Sequence, residues 1–105
     1  MNKIVINDYY GGFGVSKEAV QWMIDNGLEE QYYYTINNTN VHLSNFEIPR
    51  HHPLLVQAVE KFGEQADGLC SSLKVVEIEG NRYRITQYDG WESVETPEDI
   101  EWITI

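Results

Sequence analysis

The sequence predicts a single α+β domain: a mostly antiparallel sheet with two helices packed on one face, in the order β-α-ββ-α-ββ. Three observations carry that reading. Short β-branched runs such as Ile4-Val5-Ile6 end abruptly at turn residues. Two stretches place apolar side chains at helical spacing behind good capping residues. Two pairs of strand-like runs flank turns rich in Asn and Gly. A chain of 105 residues with 42% hydrophobic content folds as one domain around one core, residues 1-105.

Taken in order, Ile4-Val5-Ile6 is a buried strand ended by Asn7-Asp8, followed by the glycine loop Tyr9-Tyr10-Gly11-Gly12-Phe13-Gly14. Ser16 is a good N-cap and Glu18 suits the positive end of a helix dipole. A helix is therefore expected over about Lys17 to Asn26, with Ala19, Val20, Met23 and Ile24 on one face and Asn26-Gly27 as its stop. Tyr32 to Ile36 has strand propensity, Asn37-Asn38-Thr39-Asn40 is a turn cluster, and Val41 to Ile48 alternates as the partner strand of a hairpin. Pro53 stands near the first position of a second helix, where its missing N–H costs nothing. Leu55, Ala58, Val59, Phe62 and Ala66 form its apolar stripe, Glu60, Lys61, Glu64 and Gln65 its solvent side, and Gly68 its end. Leu73 to Glu79 and Arg82 to Tyr88, flanking Gly80-Asn81, predict a second hairpin. Asp89-Gly90 is a further turn, Thr96-Pro97-Glu98-Asp99 one capped helical turn, and Trp102 to Ile105 a last short strand.

Charge is the most unusual property of the chain. Seven Lys and Arg against seventeen Asp and Glu give a net charge of −10, and from Asp89 onward there are six acids and no base. Such a chain repels nucleic-acid phosphates and anionic membranes and attracts basic protein surfaces, while the same charge also serves solubility. No apolar run approaches the ~20 residues of a membrane span, and the first strand turns polar too soon for a signal peptide, so the expected location is the cytoplasm of the host cell. Cys70 is the only cysteine, which excludes an internal disulfide; it reads as a semi-buried small hydrophobe.

Several clusters are candidates for binding. Gly11-Gly12-Phe13-Gly14 follows a strand and opens a helix, an arrangement in which backbone N–H groups can hold an anion. It meets neither the dinucleotide nor the P-loop fingerprint, and the alternative is a tight turn at positive φ with Phe13 tucked into the core. Arg50, His51 and His52 form the one compact basic cluster, suited to a phosphate or carboxylate. A metal site would need a third ligand, His42 being the one other histidine, so none is expected. Arg82 and Arg84 share a strand face, with pairing to Glu77 or Glu79 as their expected role. Seven tyrosines, Tyr9 and Tyr10 among them, exceed the needs of the core, so some aromatic surface is exposed. There is no nucleophile elbow, no zinc-protease motif and no cofactor fingerprint, and the chain is expected to be a non-enzyme without cofactors.

Ile4-Val5-Ile6-Asn7 followed by Gly11-Gly12-Phe13-Gly14-Val15-Ser16 resembles a family of small, mostly uncharacterised proteins of tailed phages and prophages. A second block agrees: Pro53 to Gly63, then Leu73 to Ile78, then Tyr88-Asp89-Gly90. Together the two blocks cover about half the chain. The resemblance implies a phage origin and, for a protein of this size, a counter-defence role, either an anti-CRISPR protein or a sponge for a nucleotide signal. Three positions depart from the family. Val15 replaces Leu, His52 replaces an Asp that commonly precedes the proline, and the acidic stretch from Glu92 to Glu101 replaces a basic tail. The resemblance carries over no catalytic residues.

Two functional expectations follow, from different classes. In the first, the chain is an anti-CRISPR-type inhibitor whose acidic surface occupies a basic channel of a host defence effector such as a Cas nuclease. Glu92, Glu95, Glu98, Asp99 and Glu101 would supply the charge and Trp91 and Trp102 the anchors. In the second, the chain sequesters a small nucleotide signal through Gly11, Gly12, Phe13, Gly14 and Ser16 with Tyr9, Tyr10, Arg50 and His52, at a homo-oligomer interface. A phage structural or accessory role is the third reading.

Overall fold

The computed structural model describes residues 2–36, 40–44, 47–68 and 71–96. The expected capped turn at Thr96-Pro97-Glu98-Asp99, the strand over Trp102 to Ile105, and Cys70 fall wholly or largely outside them.

The chain is α+β, with β1 (Asn2–Asn7), α1 (Lys17–Asp25), β2 (Tyr33–Ile36), β3 (Asn40–Leu43), α2 (Pro53–Phe62), β4 (Leu73–Ile78), β5 (Arg84–Tyr88) and β6 (Trp91–Glu95). Among the described residues all strand pairs are antiparallel. They form three two-stranded ladders, β1 with β4, β2 with β3 and β5 with β6, in place of one continuous sheet.

β1 is the centre of the molecule because Ile4 to Asn7 are buried on both faces. Val5 points into the main core with Ala19, Val20 and Met23 of α1 and Leu55, Ala58 and Val59 of α2. Ile4 and Ile6 point the other way, into a smaller core with Ile78 that Val76, Tyr83, Ile85 and Val94 cover. Both helices therefore lie on one face of the β1–β4 ladder, as expected, while the β5–β6 hairpin covers the opposite face.

The helices start where the sequence places them. Ser16 caps α1 by accepting the Ala19 N–H, with Glu18 in the first turn. Pro53 opens α2, and His52 caps it: Nδ1 accepts the Leu54 N–H at 3.1 Å. A ring nitrogen that accepts carries no proton, so Nε2 carries it and donates to Glu29 at 3.0 Å. An imidazole thus serves at the N-cap, a position that Ser, Thr, Asp and Asn usually fill. The α-helix ends at Phe62 rather than running to Gly68, because Gly63 at φ 57 breaks the hydrogen-bond pattern and a 3₁₀ turn, Gly63–Ala66, brings Ala66 back into the core. β3 likewise stops at Leu43, and a turn on the Ser44 carbonyl returns Ile48 to the core.

The second hairpin differs from the expectation. Leu73–Ile78 and Arg84–Tyr88 are both strands, but β4 pairs with β1 and β5 with β6. Two physical reasons decide it. β1, buried on both sides, needs a partner that is itself apolar on both faces, which β4 is through Leu73 and Val75 on one side and Val76 and Ile78 on the other. Asp89-Gly90 also makes the better hairpin turn: φ is 49 at Asp89 and 87 at Gly90, the type I′ combination that suits the twist of the flanking strands. In this register Arg84 lies opposite Glu95 and pairs with it at 2.6 Å, not with Glu77 or Glu79.

Gly90 is constrained twice, by its positive φ and by contact with the loop after β1. A Cβ there would lie 2.5 Å from the Gly12 nitrogen. Gly90→Ala is therefore expected to lower stability by more than the ~1 kcal/mol that a Gly→Ala change can gain at a compatible loop position, measured by urea unfolding.

Candidate functional site

The centre of the candidate site is a buried polar node at the end of β1. Asn7 is fully buried and Glu92 is 7% exposed. Arg50 meets Glu92 through a two-pronged ion pair, Nη1 to Oε1 at 2.5 Å and Nη2 to Oε2 at 2.8 Å. The guanidinium also stacks on the Phe13 ring, 3.6 Å from its centroid. Glu92 Oε1 accepts the Asn7 backbone N–H at 2.8 Å. The Asn7 side chain donates to the carbonyls of Tyr9 and Gly90, at 2.7 and 2.9 Å, and accepts the Ser72 N–H at 2.8 Å. Both Glu92 oxygens, both terminal nitrogens of Arg50 and both ends of the Asn7 carboxamide have partners, the condition under which burial of such groups is tolerated.

What the node holds is a surface. Directly above it the Gly11-Gly12 loop, with φ 127 and 105, lies against the Asp89-Gly90 turn, and the Gly11 N–H donates to the Asp89 carbonyl at 3.2 Å. Gly11 and Gly12 make a tight turn at positive φ, and Phe13 packs against the core. Around this contact Tyr9 is 57% exposed, Tyr10 49%, Tyr88 73% and Trp91 40%. Tyr10 and Trp91 meet edge to face with centroids 4.7 Å apart, and Tyr88 stands opposite Trp91 in the hairpin register. The Trp91 indole N–H donates to Asp8 Oδ1 at 2.9 Å, which leaves the other carboxylate oxygen outward, and Asp89 adds a second exposed acid. Four exposed aromatic residues and two carboxylates are thus brought to one place by two segments of the chain, residues 8–10 and 88–91.

The residues expected to carry function divide. Trp91, Tyr9 and Tyr10 are in this surface. Glu92 is not: its charge is buried and neutralised by Arg50, so it offers nothing to a partner. Glu95 is paired with Arg84 at the edge of the hairpin. Glu98, Asp99, Glu101 and Trp102 lie outside the described residues. Of the residues expected to bind a nucleotide, Tyr9, Tyr10, Gly11 and Gly12 lie together in this surface and Phe13 and Arg50 stack on each other, whereas His52, Gly14 and Ser16 are engaged elsewhere. Arg50 points inward onto Glu92, and His52 is committed to the α2 cap and Glu29. Gly14 and Ser16 sit at the start of α1, where the Gly14 carbonyl accepts from Gly68 and Ser71 and the Ser16 hydroxyl donates to Gln65. Tyr88 and Asp8 were missed by sequence reasoning; their signal is adjacency to the turn residues that bring the segments together.

Among the described residues no group of three or more His, Cys, Asp or Glu is placed to hold a metal ion, and no helix is long and apolar enough to cross a membrane. Neither a family model, nor a curated protein, nor a solved structure matches the chain.

Removing one member of a buried ion pair strands the other. Arg50→Ala and Glu92→Ala are each expected to cost about 3–5 kcal/mol, and the double variant distinctly less than the sum, in a denaturation double-mutant cycle.

Proposed function

We propose that the protein is a non-enzymatic, phage-encoded inhibitor of a bacterial defence effector, foremost a Cas nuclease, and that it binds a basic surface of that effector through the Tyr9, Tyr10, Tyr88 and Trp91 face. The observation that carries this reading is the exposed aromatic cluster framed by Asp8 and Asp89. Tyrosine and tryptophan supply large contact area for few rotatable bonds, and they dominate interface energies when packed at the centre of a patch. A carboxylate beside an aromatic ring suits the lysine and arginine of a nucleic-acid channel, which gain a charge partner and a cation–π contact together. The net charge of −10 adds long-range attraction to such a channel and repulsion of the nucleic acid that competes for it. The phage origin rests on the resemblance at Ile4 to Asn7, Gly11 to Ser16 and the second block, and the action belongs in the host cytoplasm, where the effector is.

The charges that matter in this reading are not those of Glu92 and Glu95, which neutralise arginines of the same chain. They are Asp8 and Asp89, together with the acids that follow Thr96 in the sequence.

Two substitutions test the surface without touching the node. Tyr88 is the most exposed of the four rings, and Asp89 already sits at a positive φ that Asn accepts readily. Tyr88→Ala with Asp89→Asn is expected to leave the melting temperature nearly unchanged. It should weaken capture of the effector by roughly 30-fold or more, the effect of losing about 2 kcal/mol at a hot spot, and restore CRISPR immunity in a phage plaque assay. Binding of the wild-type protein should fall as salt rises. Full inhibition by the double variant would reject the aromatic face as the contact.

A further inference from the structure

A concave site lies at the far end of the β1–β4 ladder from the glycine loop. It is a cleft of about 490 Å³ between α2 and the β4–β5 connection, within the size range of small-molecule sites. Its apolar floor is Val56 and Ile78, both nearly buried. Tyr83 and His51 form one end. Their rings stand edge to face with centroids 5.7 Å apart, and the Tyr83 hydroxyl is hydrogen-bonded to His51 Nδ1 at 2.8 Å. Burial raises the Tyr83 phenol above its usual value of 10.0, so the hydroxyl keeps its proton at any physiological pH.

The charges in the cleft cancel. Lys3 is bound to Glu60 at 2.9 Å, and its pKa is raised by that hydrogen bond first, then by the charge of Glu60 and, more weakly, by Glu77. The one lysine that lines the cleft is already paired with Glu60, so an added phosphate would meet that carboxylate beside it. The remaining polar lining is carboxamide: Gln57 on the exposed side of α2 and Asn81 at the loop. A carboxamide presents a donor beside an acceptor, the pairing that reads the edge of a nucleobase, and aromatic rings are the surfaces on which unpaired bases stack.

We propose that this cleft binds a nucleobase in uncharged form, as a free base or nucleoside, with Tyr83 and His51 as the aromatic wall and Gln57 and Asn81 reading the base edge. The site is separate from the aromatic face of the inhibitor reading and stands or falls without it. The same base chemistry could also be offered by single-stranded nucleic acid, but the −10 chain and the acids around Lys3 select the form without phosphate.

The test is two-dimensional ¹⁵N NMR of the full chain, titrated to millimolar concentration with adenosine, guanosine, cytidine and uridine, their 5′-monophosphates, and a short single-stranded DNA. At least one nucleoside is expected to shift the side-chain NH₂ signals of Gln57 or Asn81 with saturation. Gln57→Ala, at an exposed helix position, is expected to weaken that binding about tenfold with the fold intact. Binding of the matching monophosphate is expected to be weaker. The proposal is overturned if no nucleoside shifts these signals, if binding survives both Gln57→Ala and Asn81→Ala, or if the monophosphate or the DNA binds more tightly than the nucleoside.

Discussion

The structure depends on one buried ion pair, Arg50 with Glu92, and on the way it closes the open edge of β1. In an antiparallel ladder every second N–H points away from the partner strand. On β1 the buried residues with such N–H groups are Val5 and Asn7. Neither is satisfied by a further strand: Val5 donates to the Arg50 carbonyl at 2.9 Å and Asn7 to the Glu92 carboxylate. A loop residue and a side chain thus act as a substitute third strand, so β1 can be buried on both faces within a two-stranded ladder. The same pair ties α2's leading loop to the β5–β6 hairpin. Desolvating two charges is costly, and the cost is met only because each oxygen and each terminal guanidinium nitrogen of the pair has a partner.

From that constraint follows the character of the surface above it. Asn7 binds the carbonyls of Tyr9 and Gly90 at once, which locks the glycine loop onto the hairpin turn. Only glycine permits this approach at residue 90. Aromatic side chains held on such a seat lose little freedom on binding, and preorganisation of this kind converts contact area into affinity. The acidic residue that secures the seat is therefore structural, whereas Asp8 and Asp89 beside the rings remain exposed.

Local features of the chain were legible in the sequence. Ser16 and Pro53 mark the helix starts, the stripe at Leu55, Ala58 and Val59 is buried as its spacing requires, and the Tyr33–Ile36 hairpin follows from propensity and turn chemistry. Strand pairing was less so. Gly80-Asn81 and Asp89-Gly90 are both hairpin turns by composition, and the choice between them was made by β1, more than 60 residues upstream, which claims β4. β6 was hidden inside an acidic stretch, although Trp91-Glu92-Ser93-Val94 alternates directly after a type I′ turn. The role of Glu92 had no local signal, since its partners stand 42 and 85 residues away. An exposed acid and a buried, paired one look alike in sequence. The arginine that distinguishes them is found only after the chain folds.

The most direct measurement of this arrangement is native-state hydrogen exchange of the Asn7 backbone amide. Asn7 ends a strand and would fray there if β1 had only β4 for support. The account predicts that its amide exchanges as slowly as those of Ile4 and Ile6, and that Glu92→Gln speeds it selectively. An Asn7 amide that exchanges at the rate of an open strand end in the wild-type protein would contradict it.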